Sequence, residues 1–265
     1  MRVISLINGS LISETSSIYA LHYAKSLDLR VDLIHINGKD SLTAVYKSVE
    51  DLKDIAQKLD VEVNFVIFDD LDALKNFIES KEIDMVFCST RHRHSILDKS
   101  FVQTFIHKKI KVDLSVIKVV KLGRANSIDN IILPIRDTKL SVKKFTLFAT
   151  FSKAYNSKAE IYSVDKIAPL HLHQENQKER LQEIIMNLRH YFRLAKMMNF
   201  KFSIKHDFAL SEGEKVKTHI AKYNYGLVVV GNHYSKTFTK RHPIDILFEN
   251  PMINTLYFIP YEDNE

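Results

Sequence analysis

Short apolar runs alternate with longer amphipathic stretches along the chain. Runs rich in Val, Ile and Phe are typical of strands. The first half contains five of them: Arg2–Ile7, Val31–Ile36, Val61–Phe68, Met85–Cys88 and Leu114–Val119. Apolar residues at helical spacing predict three helices between them: Ser17–Leu27, Leu71–Ile78 and Phe101–His107. Alternating strands and helices predict a mostly parallel sheet with helices on both faces.

The same pattern occurs again in the second half. Two pairs of segments align at an offset of 128 residues: "RVISLIN" (2–8) with "NIILPIR" (130–136), and "RVDLIHI" (30–36) with "KAEIYSV" (158–164). Two more align at an offset of 143: "MVFC" (85–88) with "VVVG" (228–231), and "LSVI" (114–117) with "YFIP" (257–260). The sequence therefore predicts two copies of one α/β domain.

A short polar linker at residues 123–127 separates the two copies. We predict a first domain over residues 1–122 and a second over residues 128–265. The second copy is longer by about fifteen residues, which fall within 168–200 and indicate a polar loop followed by a long amphipathic helix. We predict that this helix covers part of the first half or a second chain. Ordinary core packing is the alternative.

Several segments resemble the universal stress protein family. They are a strand leading into Asn8-Gly9-Ser10, the helix "YALHYAKSL", the strand "RVDLIHI", and the segments "SKEIDMVFCSTRHRHS" and "SEGEKVKTHIAKYNYGLVVVGNHYSK". This resemblance covers nearly the whole chain twice. It implies two tandem Rossmann-like domains, similar to adenine nucleotide hydrolases, each a mostly parallel five-stranded sheet. It also implies an internal pseudo-dimer in which the last strands, Leu114–Val119 and Leu256–Ile259, pair.

The ATP-binding members of that family carry Gly, two residues, Gly, nine residues, and then Gly before Ser or Thr. Glycines allow the backbone to approach phosphates closely. In this chain the corresponding positions hold Gly231, Tyr234 and Ile244-Asp245 in the second half, and Cys88, Arg91 and Phe101-Val102 in the first. The ATP motif is therefore degenerate. A site for ATP or AMP in one half is the alternative to a function without a nucleotide.

The stretch "FCSTRHRHS" (87–95) places a basic loop directly after a strand. Open α/β sheets bind ligands at the carboxyl ends of their strands. The resemblance implies ligand contacts at Asn8 and Ser10 and at Gly231. We predict further ligand-binding residues after the fourth strand of each half: Ser89, Thr90, Arg91, Arg93, Ser95 and Ser100, and Asn232, Ser235 and Lys236. A solvated loop without a ligand and a metal site at His92 and His94 are the alternatives for the basic loop.

Other polar residues have simpler structural explanations. Cys88 is the only cysteine, which excludes an intramolecular disulfide and favours a cytoplasmic location. At the end of a strand, it is predicted to be a buried, unreactive thiol rather than a nucleophile. Asp69, Asp70 and Asp72 are predicted to cap the following helix and to complement its dipole. The histidines of the segment 171–173 are predicted to lie in an exposed loop rather than at a metal.

Composition and charge narrow the classes of function. The hydrophobic fraction of 45% is that of a globular protein, and no apolar run approaches the roughly 20 residues that span a bilayer. Residues 88–124 hold nine Lys and Arg against two acids, a surplus that exceeds the +6 of the whole chain. A basic segment this local favours a small anion or an acidic protein partner over nucleic acid.

No catalytic signature occurs in the sequence: it has no Gly-x-Ser-x-Gly elbow, Walker loop or Gly-x-Gly-x-x-Gly turn. We therefore expect a non-enzymatic, cytoplasmic stress-response or regulatory protein that acts through protein contacts or a small anionic ligand. A sensor of ATP or AMP is the second hypothesis, and a nucleotide hydrolase the third. The protein partner is not identified by the sequence, and homodimerisation is left open.

Overall fold

The structure, a computed structural model, describes residues 1–38, 40–90, 101–135, 140–167, 177–231, 247 and 251–261. The first half alternates strands and helices: β1 Arg2–Leu6, α1 Leu11–Leu27, β2 Arg30–Ile36, α2 Leu42–Leu59, β3 Val63–Phe68, α3 Leu71–Glu79, β4 Ile83–Thr90, α4 Phe101–His107 and β5 Asp113–Lys118. A short 3-10 helix, Leu122–Asn126, leads into the second half. Its described elements are β6 Asn130–Ile135, α5 Val142–Tyr155, β7 Lys158–Lys166, α6 Gln177–Asn187, α7 Arg189–Met197, β8 Ser203–Ala209, α8 Glu212–Tyr223, β9 Leu227–Gly231 and β10 Thr255–Ile259.

The ten strands of the described residues form one sheet, in the order β3-β2-β1-β4-β5-β10-β9-β6-β7-β8. Within each half the strands are parallel, and the order of the second half mirrors that of the first. The two halves join through β5 and β10, which run antiparallel with Val116 opposite Tyr257. The predicted α/β class, the repeat and the pairing of the last strands are therefore confirmed. The exact domain limits, 1–122 and 128–265, remain a prediction.

The pairing of the fourth strand of each half corrects the predicted offset. Val86 pairs with Ile4 in the first half, and Val228 pairs with Ile132 in the second. Because Ile4 and Ile132 are equivalent at an offset of 128, the fourth strands are equivalent at 142. The predicted offset of 143 is wrong by one residue.

This correction changes which side chains correspond to each other. Ser89, and not Cys88, is the counterpart of Gly231, and Cys88 corresponds to Val230. Both Cys88 and Val230 are buried in the same apolar cluster. A shift of one residue matters in a strand because it moves every side chain to the opposite face of the sheet.

Polar residues define the ends of the helices. Ser10 caps α1, since its side chain accepts a hydrogen bond from the amide of Ser13, so the helix begins six residues before the predicted start at Ser17. Asp70 caps α3 in the same way through the amide of Ala73, as predicted. Helix α1 ends at Asp28, which adopts the left-handed conformation that Asp and Asn tolerate.

Two helical segments add to or differ from the predictions. Helix α2 lies between the second and third strands, where a helix was expected but no bounds were predicted, and its buried residues Val45, Val49, Leu52 and Ala56 follow helical spacing. The extra segment of the second half forms two helices, α6 and α7, that meet at Leu188 instead of one long helix. The ring of Tyr191 on α7 lies 4.9 Å from that of Phe145 in α5. The helices thus pack on their own half, as in the alternative of ordinary core packing, and contact with a second chain stays a prediction.

Two apolar clusters lie on opposite faces of the sheet, and each runs through both halves. One contains residues of α1, α2, α5, α6 and α7, and the other contains residues of α3, α4 and α8. Burial of apolar surface contributes about 25 cal/mol per Å². Because each core is shared by both halves, the halves stabilise each other through packing as well as through the β5–β10 ladder.

Candidate functional site

A cavity of about 290 Å³ opens at the carboxyl ends of the first-half strands. It lies beside β1, where β2 and β4 pair on opposite sides and the strand order reverses. Crossover helices leave such a point in opposite directions, which creates a crevice for ligands. Apolar and polar residues line it in nearly equal number. The apolar ones are Leu6, Ile7, Ile34, Ile36, Leu71 and Cys88, and the polar ones are Asn8, Ser13, His35, Asp40 and Ser89.

The Asn8-Gly9-Ser10 turn shapes one side of this cavity. The Asn8 side-chain oxygen accepts hydrogen bonds from the Ser10 amide at 3.2 Å and the Ser10 hydroxyl at 2.7 Å. Gly9 has a φ of +77°, and a Cβ atom there would lie 2.8 Å from the Ala44 carbonyl carbon, so only glycine fits. The predicted residue Asn8 thus lines the cavity, whereas the Ser10 hydroxyl is engaged in capping α1.

His35 is a polar residue of the cavity wall that the sequence analysis did not identify. It is 1% exposed and lies near the carboxyl end of β2. Its Nδ1 atom is 3.0 Å from the backbone oxygen of Ile7, and its Nε2 atom is buried without a hydrogen-bond partner. A histidine within the apolar run "LIHI" was the available signal, because buried polar groups require an explanation.

The end of β4 supplies the opposite wall. The predicted ligand residues Ser89 and Thr90 are the last two residues of this strand and not part of a loop, which corrects their placement. Ser89 lines the cavity, whereas Thr90 pairs with Lys118 of β5. Cys88 is buried, and burial raises the pKa of its thiol to about 12. The prediction that this thiol is buried is therefore confirmed, and its low reactivity stays a prediction.

The remaining predicted site residues of the first half lie outside the described residues. They are Arg91, Arg93, Ser95 and Ser100, together with His92 and His94 of the metal alternative. The same holds for Asn232, Ser235 and Lys236 in the second half and for the histidines at 171 and 173. In the described part of the chain, no group of three or more His, Cys, Asp or Glu residues is placed to hold a metal ion.

The second half differs at the place that corresponds to the cavity. Lys144 of α5 occupies the position of Ser13, three residues after the helix cap in both halves. Lys144 is only 4% exposed, and a Cβ atom on Gly231 would lie 2.5 Å from its Cδ atom. The lysine side chain therefore lies across Gly231. This close contact requires a glycine at position 231, so no phosphate is needed to explain it. Because β5 and β10 are antiparallel, Gly231 and Ser89 face opposite edges of the sheet and do not form one site.

A second polar cluster lies between β7, β8 and α8. The Glu160 carboxylate is 2.6 Å from the Nε2 atom of His219 and 2.8 Å from the ammonium group of Lys205. It also accepts a hydrogen bond from the Tyr225 hydroxyl. Burial raises the pKa of Glu160, but these hydrogen bonds outweigh burial and bring the pKa to about 2. His219, Lys205 and Tyr225 together satisfy this buried carboxylate, which indicates a role in stability.

We expect Glu160→Gln to destabilise the protein in a pH-dependent way. The folded pKa lies below the ordinary value of about 4.5, so the carboxylate stabilises the fold fully above that value and loses its contribution as pH falls towards 2. The substitution should cost about 1–3 kcal/mol at pH 7, and the difference from wild type should shrink below pH 4.5. Urea unfolding of wild type and Glu160→Gln at several values between about pH 3 and about pH 7 measures the difference in unfolding free energy.

The exposed pair of Glu79 and Lys75 provides the control for that experiment. Their side chains are 3.8 Å apart on the surface of α3. Glu79→Gln should change the free energy of unfolding by less than about 1 kcal/mol, since exposed ion pairs contribute little. Equal effects of the two substitutions at pH 7 would show that the Glu160 cluster is not stabilising.

Comparison with solved structures identifies the fold. A universal stress protein from Archaeoglobus fulgidus DSM 4304 matches with a TM-score of 0.60 and 10% identity, over 98% of both chains. A functionally unknown protein from Pseudomonas aeruginosa PAO1 matches with a TM-score of 0.59 and 9% identity, over 98% of this chain and 92% of the other. The likeness confirms, at the level of the fold, the resemblance predicted from the sequence.

The same fold occurs in a different setting. The cytoplasmic domain of a prokaryotic cation chloride cotransporter matches with a TM-score of 0.55 and 10% identity, over 99% of this chain and 96% of that domain. No family model and no curated protein matches the sequence. None of the helices in the described residues is long and apolar enough to cross a membrane.

Proposed function

We propose that this chain is a non-enzymatic regulatory protein of the stress-response type, which binds one small ligand in the cavity of its first half. The observation that carries the proposal is the difference between the halves. Ser13 and Ser89 leave the carboxyl ends of the first-half strands open, whereas Lys144 lies across Gly231 in the second half. A fold repeated twice thus keeps a cavity where ligands of open α/β sheets bind.

The basic residues after β4 are proposed to bind the anionic part of such a ligand. Arg91 follows directly on Thr90, two residues beyond the cavity-lining Ser89, and Arg93 comes two residues later. Arginine binds phosphate through two parallel hydrogen bonds, each worth about 1.5–3 kcal/mol when charge-assisted. ATP and AMP are therefore the first ligands to test. A cytoplasmic location is part of the proposal and rests on the single cysteine.

Calorimetric titration of ATP, AMP and inorganic phosphate tests this function. We expect at least one of the three to bind wild type, and Arg91→Ala/Arg93→Ala to weaken binding by about tenfold or more, which corresponds to about 1.4 kcal/mol. The control is Arg189→Ala/Arg193→Ala, which removes the same charge from exposed positions of α7. Equal losses of affinity in both variants would show that the effect comes from the net charge of the protein and not from arginines at the site.

A module that acts through protein contacts is the second candidate function. It is favoured by the likeness to the cotransporter domain, in which this fold is part of a larger protein. Absence of heat with all three probes, together with unchanged thermal stability in their presence, would favour this candidate over ligand sensing.

A further inference from the structure

The two edges of the sheet carry opposite charge. Strand β3 forms one edge and strand β8 the other, and each pairs with a single strand within the described residues. Residues 60–72, which contain β3, hold five acids and no Lys or Arg, whereas residues 189–205, which run from α7 into β8, hold five Lys and Arg and no acid. Helices α2 and α6 add no net charge, because each carries as many basic as acidic residues.

Part of this charge is not neutralised within the molecule. Asp69 and Asp70 are exposed at the end of β3, where Asp69 accepts a hydrogen bond from the Asn37 amide at 3.0 Å and Asp70 caps α3. Lys196 and Lys201 are exposed before the start of β8. None of these four charged groups forms an ion pair in the part of the chain that the structure describes. The other pairs at the two edges are Asp60 with Lys25, Asp72 with Lys108 and Lys205 with Glu160.

The free edge of β3 is open to pairing with another strand. Its sequence, "VNFVIF" (63–68), has no charged residue and no proline, the features by which proteins commonly block an edge. Strands β3 and β8 run in opposite directions, because the halves join through an antiparallel pair. A second copy placed beside the first in the same orientation therefore brings its β8 antiparallel to β3. Phe65 and Ile204 pack against the same apolar cluster, so the corresponding faces of the two copies match.

We infer that copies of this chain associate head to tail, with β3 of one copy against β8 of the next. Antiparallel pairing places the end of β3 beside the start of β8, which brings the two aspartates of one copy to Lys196 and Lys201 of the next. Lys196 lies one helical turn after Phe192, whose ring is 4.8 Å from that of Phe202 at the start of β8. A contact between two different edges does not close at two copies, so it continues into a longer chain or a ring.

Sedimentation velocity of the full chain at low and high salt tests this association. At about 0.03 M salt, where screening is weak, we expect the average mass to rise with protein concentration beyond that of two chains. At about 0.5 M salt charges are screened within roughly 4 Å, and the apparent dissociation constant should increase by about tenfold or more. Association that stops at two copies, does not respond to salt, or is absent at low salt overturns the inference.

Two charge-reversed variants identify the edges that meet. Lys196→Glu/Lys201→Glu makes the start of β8 acidic, and Asp69→Lys/Asp70→Asn makes the end of β3 basic while asparagine still caps α3. Each variant alone should associate about tenfold more weakly than wild type, because like charges then face each other. An equimolar mixture should regain association, because each edge of one variant meets an edge of opposite charge on the other.

The matched control is Lys111→Glu/Lys121→Glu, which makes the same change in net charge at exposed positions on either side of the central strand β5. It should associate as wild type does. Thermal unfolding shows that each variant is folded. An equal loss of association in the control, or no recovery in a mixture of folded variants, overturns the inference and does not affect the proposed ligand site.

Discussion

Replacing Asn254 by alanine is expected to destabilise the whole protein by about 2–4 kcal/mol. Asn254 precedes β10 and is completely buried. Its side-chain oxygen accepts from the amides of Val120 and Lys121 at 2.7 and 2.8 Å. Its nitrogen donates to the Tyr19 hydroxyl at 2.8 Å and to the backbone oxygen of Lys121 at 2.9 Å. One side chain thus joins the second half to two parts of the first half, the segment directly after β5 and α1.

The effect is large because the partners of Asn254 belong to the junction of the halves. The ring of Tyr19 lies 6.2 Å from the rings of both Phe151 and Tyr155 of α5. Removing the amide leaves backbone donors and a buried hydroxyl without partners, and each costs about 1–3 kcal/mol where water does not replace the bond. Burial already raises the pKa of Tyr19 well above its usual value, so this hydroxyl stays neutral at ordinary pH.

Thermal unfolding measures this effect. A loss of about 3 kcal/mol in a chain of this size lowers Tm by roughly 6–12 °C. The control is Asn187→Ala, at the exposed end of α6, where little change is expected. A single transition should persist in both variants, because the cores continue through both halves. A change in Asn254→Ala no larger than that of the control, or separate melting of the two halves, would contradict this role of the junction.

The arrangement of strands could be predicted because each strand is a compact apolar run. Alternation and the internal repeat follow from such runs. The pairing of the last strands was implied by the resemblance to universal stress proteins. The start of α1 could not be predicted in this way, because the first turns of the helix contain hydroxyl residues that are nevertheless buried. Thr15 and Ser17 donate to the backbone oxygens four residues earlier, at 2.7 and 3.0 Å. Satisfied hydroxyls can be buried, and hydrophobicity alone does not show this.

The candidate site could be predicted only in part. Asn8 was found through the resemblance to universal stress proteins and Ser89 because ligands bind at strand ends, and both line the cavity. His35 was missed because it lies within a strand, and its unpartnered nitrogen is visible only once Ile7 is placed beside it. The alignment of Gly231 with Cys88 was wrong by one residue, since both neighbouring registers keep apolar residues in the strand. Only the pairing partners in the sheet distinguish them.

The largest expected effect on binding comes from rebuilding the second-half arrangement in the first half. Ser13→Lys/Ser89→Gly introduces the pair that Lys144 and Gly231 form in the second half. The lysine chain then occupies the cavity, so we expect binding to weaken by at least about 100-fold, or about 2.7 kcal/mol. The fold should tolerate the change, because α5 carries a lysine at the same helical position.

The reciprocal variant, Lys144→Ser/Gly231→Ser, serves as the control. It places the first-half residues in the second half and leaves the cavity of the first half untouched. First-half affinity should therefore equal that of wild type. Thermal unfolding of both variants shows whether the fold is retained, so that a loss of binding is not confused with a loss of structure.

The most direct test of a single first-half site is the calorimetric stoichiometry of the probe that binds most tightly among ATP, AMP and phosphate. We expect one ligand per wild-type chain, none for Ser13→Lys/Ser89→Gly, and at least one, at wild-type affinity, for the reciprocal variant. Two ligands per wild-type chain, or undiminished binding by a folded Ser13→Lys/Ser89→Gly protein, would contradict the assignment of the site to the first-half cavity.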